Sequence, residues 1–256
     1  MSYFKSRDSL ENRRILVTGA SRGLGAEIAN SLAMAGAELM ISGRNAIGLK
    51  STQQLVQQHG HKCHTVKADL RSIDETHRLA DAALEVFRTV DVLVNNAGVV
   101  FVEDLLHTTL ENWDQTQAVN LRAPFLLSQK LAPGMINQNR GKIINISSVA
   151  AVGAPEGHCA YSASKGGLNL LTQTMACEWG QYNIQANAIA PTVILTAMGQ
   201  QVWGDPSKGD PMKARIPAGR FGEPFEVADL VHFLASDASN FINGQVIRLD
   251  GGLTAV

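Results

Sequence analysis

Short apolar runs alternate with longer amphipathic stretches along this 256-residue chain, and that alternation constrains its fold more than any single motif. The runs are Arg14–Thr18, Glu38–Ser42, Lys62–Lys67, Asp91–Asn95, Lys142–Ser147, Ile184–Ile189 and Gln245–Leu249. They are rich in Val, Ile and Leu and nearly continuous in hydrophobicity, as in parallel strands covered on both faces. Helical periodicity fills the gaps at Leu24–Ala35, Ala46–His59, Ile73–Phe87, 110–139, Tyr161–Gly180 and Phe225–Ala235. Strand, helix and strand in repetition imply right-handed crossovers and an α/β fold with one doubly wound parallel sheet of about seven strands.

Internal repeats, low-complexity tracts and Pro/Ser-rich linkers are absent from the sequence, so residues 1–256 read as a single domain. Pro191–Phe221 breaks the rhythm with prolines, glycines, Trp203 and charges, and we assign 191–221 as a substrate loop. The formal net charge of -1 comes without a basic block, which argues against a nucleic-acid groove or a membrane-surface patch. The opening MSYFKSRDSLENRR lacks the apolar run of a signal peptide, and no later stretch is long enough to cross a bilayer. Cys63, Cys159 and Cys177 form neither an even disulfide framework nor a metal-like pairing, which points to a reducing, cytoplasmic compartment. His59, His61, Cys63 and His64 cluster in sequence, but a strand starting near Lys62 sends Cys63 and His64 to opposite faces. No metal site is expected.

The segment Thr18-Gly19-Ala20-Ser21-Arg22-Gly23-Leu24-Gly25 follows the first strand and opens the first helix. Glycines there permit a tight turn and let backbone approach a pyrophosphate, which then faces free N–H groups at the helix N-terminus. With this loop, Asp69-Leu70, NNAG at 95–98, Asn120, Ser148, Tyr161-x3-Lys165, Pro191 and DGG at 250–252, the chain resembles the short-chain dehydrogenase/reductase family from Leu10 to Gly252. The resemblance implies a Rossmann-type domain in a homo-oligomer, tetramer or dimer. It implies that Gly19, Ser21, Arg22, Gly23, Leu24 and Gly25 cradle a dinucleotide, that Asp69 and Leu70 meet the adenine, and that Asn96, Ala97 and Gly98 line its cleft. Pro191, Val193 and Thr196 would complete the nicotinamide end.

The second strand ends Ser42-Gly43-Arg44, with no carboxylate for a ribose 2′-hydroxyl. Arg44, with Arg22 opposite, suits a 2′-phosphate, so NADP(H) is preferred and NAD(H) stays open. Tyr161 and Lys165 lie four apart, hence adjacent on one helical face. A nearby ammonium favours the phenolate, so the pair reads as an acid/base couple with Lys165 also holding ribose hydroxyls. Within the resemblance Ser148 holds the substrate oxygen, and Asn120 anchors a water that links Lys165 to solvent. The implied activity is hydride transfer between nicotinamide and a carbonyl or secondary alcohol.

The loop from Pro191 through Trp203 to Arg215-Ile216-Pro217 resembles the dicarbonyl/L-xylulose reductase branch, which carries His158 and Trp203 onto substrate-binding positions. Val149 and Pro155 depart from that branch, so only the class carries over: a small sugar, polyol, ketose or dicarbonyl. Alternatively, His158 caps the helix and Trp203 packs beneath the loop. A 3-oxoacyl-thioester (acyl-carrier) reductase and a non-catalytic dinucleotide sensor are the competing functions. The helices at 110–139 and 161–180 carry surplus leucines (Leu126, Leu127, Leu131, Leu168, Leu170, Leu171), expected to face a second subunit.

Overall fold

The structure, a computed structural model, describes residues 7–255; Met1–Ser6, within the polar N-terminal stretch, and Val256 lie outside it. Every expected apolar run forms a strand, with ends shifted by a residue or two. The strands are β1 (Arg14–Val17), β2 (Glu38–Gly43), β3 (Cys63–Lys67), β4 (Val92–Asn95), β5 (Gly141–Ile146), β6 (Ile184–Pro191) and β7 (Val246–Leu249). They make one seven-stranded sheet in the order β3-β2-β1-β4-β5-β6-β7, and every pairing is parallel.

Strand alternation divides the core between the two faces. On one face Ile15 and Val17 of β1 meet Ile28 and Leu32 of α1 (Gly23–Met34) and Val227 and Val231 of α10 (Pro224–Ala235). α2 (Ala46–Gln57) adds Leu49 and Val56 there. On the other face Leu16 meets Leu79 and Ala83 of α3 (Ile73–Phe87) together with Leu127, Leu131 and Met175. The crossover direction reverses between β1 and β4, so the sheet opens a crevice at their carboxyl ends, where α/β sheets bind ligands.

Three departures from the expected elements bear on that crevice. The long helix at 110–139 is interrupted. α4 (Leu110–Gln117) passes through a widened π-turn (Ala118–Arg122) into α5 (Ala123–Asn137). Pro124, in the first turn of α5, accounts for the break: it has no N–H, and in a regular helix its ring would meet the carbonyl of Asn120. The helix holding Tyr161 begins earlier than expected, as α7 (Cys159–Trp179), preceded by the short α6 (Ala150–Gly153). The aperiodic 191–221 segment contains α8 (Ala197–Trp203) and α9 (Pro206–Lys213). Both are too short for a period to register, yet their caps were readable: the Thr196 side chain accepts from Gly199 N, and Asp205 from Ser207 N just before Pro206 opens α9.

The leucine surplus is smaller than it looked. Leu127, Leu131 and Leu168 are buried within the protomer, while Phe125 and Leu170 (66% exposed) form the apolar surface of α5 and α7.

Candidate active site

The glycine loop is fixed by contacts that only glycine permits. Gly19 has φ +69°, and a Cβ there would come within 2.7 Å of the Ala97 Cα; one on Gly25 would strike the Asn96 amide and the Gly19 carbonyl. The loops after β1 and β4 therefore touch. The Thr18 hydroxyl accepts from Asn96 N and Ala97 N, both at 3.1 Å, and Asn96 Nδ2 donates to Thr18 O (2.9 Å) and Gly19 O (3.2 Å). Asn96 thus braces the loop. Ser21 lies against Gly43, and Leu24 packs on the core beneath.

Arg22, just before α1, and Arg44, just after β2, are both exposed. Neither makes a hydrogen bond or ion pair among the described residues, so both guanidinium groups remain available to an anion. Asp69 is already engaged: Arg71 Nε donates to Oδ1 at 3.0 Å and Oδ2 at 2.9 Å, and Arg71 N donates to Oδ1 at 3.1 Å. This grip holds the Asp69 carboxyl below its ordinary range. Leu70 is buried in the core of the α3 face.

The catalytic candidates converge at the carboxyl end of β5. Lys165 is 3% exposed and its Nζ donates to Ile146 O at 2.7 Å, 5.6 Å from the centre of the Tyr161 ring. Burial pushes the lysine down to about 8. Tyr161 departs from expectation. Its burial pushes the phenol up, and a hydrogen bond with the Ser148 side chain pulls it back only in part. Desolvation outweighs the Ser148 hydrogen bond, so the environment favours the neutral phenol over the phenolate.

Ser148 Oγ also accepts from Ala150 N at 3.1 Å, so the residue both caps a turn and reaches Tyr161. Asn120 is fully buried in the π-turn. Its Oδ1 accepts from Val99 N (2.9 Å), and its Nδ2 donates to Val99 O (2.9 Å) and to Ser164 Oγ (3.0 Å). Both amide hydrogens of Asn120 are therefore spent within the protein. Ser164, whose hydroxyl donates to Tyr161 O at 2.7 Å, went unnoticed in the sequence because serine within a helix carries no distinctive spacing.

The residues expected at the substrate end lie around these groups. His158 directly precedes α7 but makes no capping bond; its Nδ1 lies 2.7 Å from Glu156 O, and its ring meets the Tyr161 ring edge-on at 6.2 Å. The segment after β6 folds back over the glycine loop: a Cβ on Gly23 would lie 3.8 Å from the Thr196 side chain. Pro191 O accepts from Val149 N (3.1 Å), and Val193 O from Gly222 N (3.0 Å). Trp203 packs against Phe221, ring centres 6.1 Å apart. Away from the crevice, His59 Nε2 lies 2.8 Å from Asn30 Oδ1 and His64 Nε2 3.5 Å from Glu38 Oε1.

These residues fit a dinucleotide. The glycine turn faces a helix N-terminus, two unpaired arginines flank it, and a Cβ on Gly98 would lie 3.8 Å from Lys165 Nζ, so the missing side chain keeps the ammonium's flank open.

Residues 19–254 match the family model described as Enoyl-(Acyl carrier protein) reductase. The gluconate 5-dehydrogenase of Gluconobacter oxydans (strain 621H) is 39% identical over 96% of this chain and 96% of its own length. The L-xylulose reductase of Bos taurus is 41% identical over 96% of this chain and 98% of its own. A solved gluconate 5-dehydrogenase from Burkholderia cenocepacia J2315, in complex with NADP and tartrate, superposes with a TM-score of 0.93 at 35% identity, covering 99% of this chain and 100% of that one.

Proposed function

Because this chain belongs to the short-chain dehydrogenase/reductase family, we propose that it is an NADP(H)-dependent oxidoreductase acting on the carbonyl or secondary alcohol of a small sugar, polyol, ketose or dicarbonyl. The observation that carries this reading is the meeting of Tyr161, Lys165 and Ser148 at the crevice that the glycine loop opens. We read residues 1–256 as one nucleotide-binding domain with 191–221 as its substrate loop.

Arg22 and Arg44 take the 2′-phosphate, and Lys165 takes the nicotinamide ribose hydroxyls. Asp69 and Leu70 border the adenine, while Pro191, Val193 and Thr196 border the nicotinamide. The bound cofactor supplies hydride to a carbonyl carbon or accepts it from an alcohol carbon. Ser148 orients the substrate oxygen and stabilises charge on it. In reduction Tyr161 gives that oxygen its proton, a role suited to a phenol held protonated by burial. His158 and Trp203 bound the substrate, and the segment carrying α8 and α9 closes over it. The sugar-acid and sugar names of the relatives, with the tartrate of the Burkholderia cenocepacia structure, support a polyhydroxylated substrate. Exposed Phe125 and Leu170 support a homo-oligomer joined through α5 and α7, and three free cysteines support a cytoplasmic setting.

An acyl-carrier reductase draws support from the description of the matched model. Such a partner needs basic charge beside the substrate segment, but there Lys213 pairs with Asp210 (3.0 Å) and Arg220 with Glu226 (2.7 Å), while Arg22 and Arg44 are assigned to the 2′-phosphate. Steady-state assays of sugars, polyols, α-dicarbonyls and a carrier-linked 3-oxoacyl thioester, each with both cofactors, decide the matter. We expect turnover of the small polyhydroxylated compounds with NADP(H). Turnover confined to the thioester, or none on any compound, would overturn the reading.

A further inference from the structure

Two polar side chains on α7, Asn169 and Thr172, continue the line of the catalytic pair. Tyr161, Lys165, Asn169 and Thr172 fall on one helical stripe, which runs down against the end of β5. A buried stripe of this kind is ordinarily apolar. Here each successive residue at the end of β5 is tied to it instead. Asn145 Nδ2 donates to Thr172 Oγ1 at 2.8 Å, Ile146 O accepts from Lys165 Nζ at 2.7 Å, and Ser147 Oγ donates to Asn169 Oδ1 at 2.6 Å. All of these side chains are buried. Asn145 also accepts from Asn95 Nδ2 at 2.8 Å, which joins the stripe to the strand leading into the NNAG loop.

Resting on the oxidoreductase reading above, we propose that Ser147 and Asn169 are positioning residues: their hydrogen bond sets the axial register of α7 on β5 and so the reach of the Lys165 ammonium. Hydrophobic packing alone tolerates sliding and rotation of a helix on a sheet. A hydrogen bond between two buried groups does not, because breaking it strands both partners away from water. The pair is well placed for this. Ser147 adjoins both the carbonyl that holds Lys165 and the Ser148 that meets Tyr161. Asn169 lies one helical turn from Lys165, so a small axial slip there moves the ammonium directly.

Two substitutions of Asn169 separate positioning from mere stability. Asn169→Leu removes the bond while filling the site. Asn169→Asp keeps an acceptor for Ser147 but places a carboxylate one turn from Lys165, where it favours the ammonium form. We expect Asn169→Leu to lower kcat about tenfold or more, with cofactor affinity reduced and substrate KM little changed. Asn169→Asp should move the Lys165-dependent limb of the pH–rate profile to higher pH. Combining Ser147→Ala with Asn169→Leu should cost no more in kcat than the worse single change. A wild-type pH profile in folded Asn169→Asp would overturn the inference, as would an unchanged kcat in Asn169→Leu with only its Tm lowered. A wild type that turns over no carbonyl or alcohol would instead overturn the underlying reading, so the two failures are distinct.

Discussion

The two edges of the sheet carry similar charges and use them differently. At the amino edge Asp91 is fully buried, yet it accepts from Arg14 Nε (2.8 Å), Arg140 Nη2 (3.0 Å) and Gln138 Nε2 (3.1 Å). Burial pushes its carboxyl up, and the two arginines more than reverse that. Lys142 is also buried there; its Nζ donates to Asn240 Oδ1 (2.8 Å) and Ser239 Oγ (3.2 Å) beside the Arg13–Asp237 pair. At the carboxyl edge Lys165 has one protein acceptor, and Arg22 and Arg44 have none among the described residues. Both lysines are pushed down to about 8 by burial, so a perturbed lysine does not by itself mark a functional site. Unspent donors mark it.

That contrast can be broken most directly at the proposed catalytic pair. Tyr161→Phe should fold and bind cofactor but lose about a thousandfold in turnover; near-normal kcat would remove Tyr161 from the mechanism. Asp91→Ala should do the reverse. It leaves two arginines without their buried partner, so unfolding in urea should show a loss of about 3 kcal/mol, softened by water reaching Arg14 and Arg140. Turnover per folded molecule should stay near normal, and a matching loss of kcat would erase the distinction between the edges.

Arg44→Asp sharpens the comparison at the carboxyl edge. It should shift preference from NADP toward NAD by roughly ten- to hundredfold, read from kcat/KM with each cofactor. A wild type that already prefers NAD would sink the assignment of both arginines.

Lys142→Met gives the smallest effect, and its size depends on pH. The folded pKa of Lys142 lies below its unfolded value, so the folded state resists protonation. The resulting penalty is fully present below about pH 8 and disappears as pH rises toward the unfolded value near 10.4. The variant's stability deficit should therefore grow as pH rises from about 8 toward about 10, while kcat is unaffected. A deficit independent of pH, measured by thermal unfolding, would show that Lys142 is not held in this way.

The strands were legible because apolar runs buried on both faces have few alternatives. The adjacency of Tyr161 and Lys165 was legible because a helix brings residues four apart together. The π-turn at Ala118–Arg122 was hidden because helical periodicity continues through it; only Pro124 hinted at a break. The Asp69–Arg71 clamp and the direction of the Tyr161 shift depend on distances and burial that no spacing encodes. The same holds for Ser147 and Asn169, far apart in sequence and each unremarkable in its own segment.

The seam between β1 and β4 also governs how the molecule comes into being. It pairs residues 15–17 with residues 92–94, and the glycine loop takes its shape from Thr18 bonds to Asn96 and Ala97 across that seam. A long stretch of chain must close before those contacts form, which makes this a slow, non-local step. During synthesis the crevice between β1 and β4 cannot exist until β4 has emerged, and the proposed proton donor Tyr161 arrives later still, on α7. Early emerging chains therefore have no ligand to lean on, and their first strands must stay soluble without one.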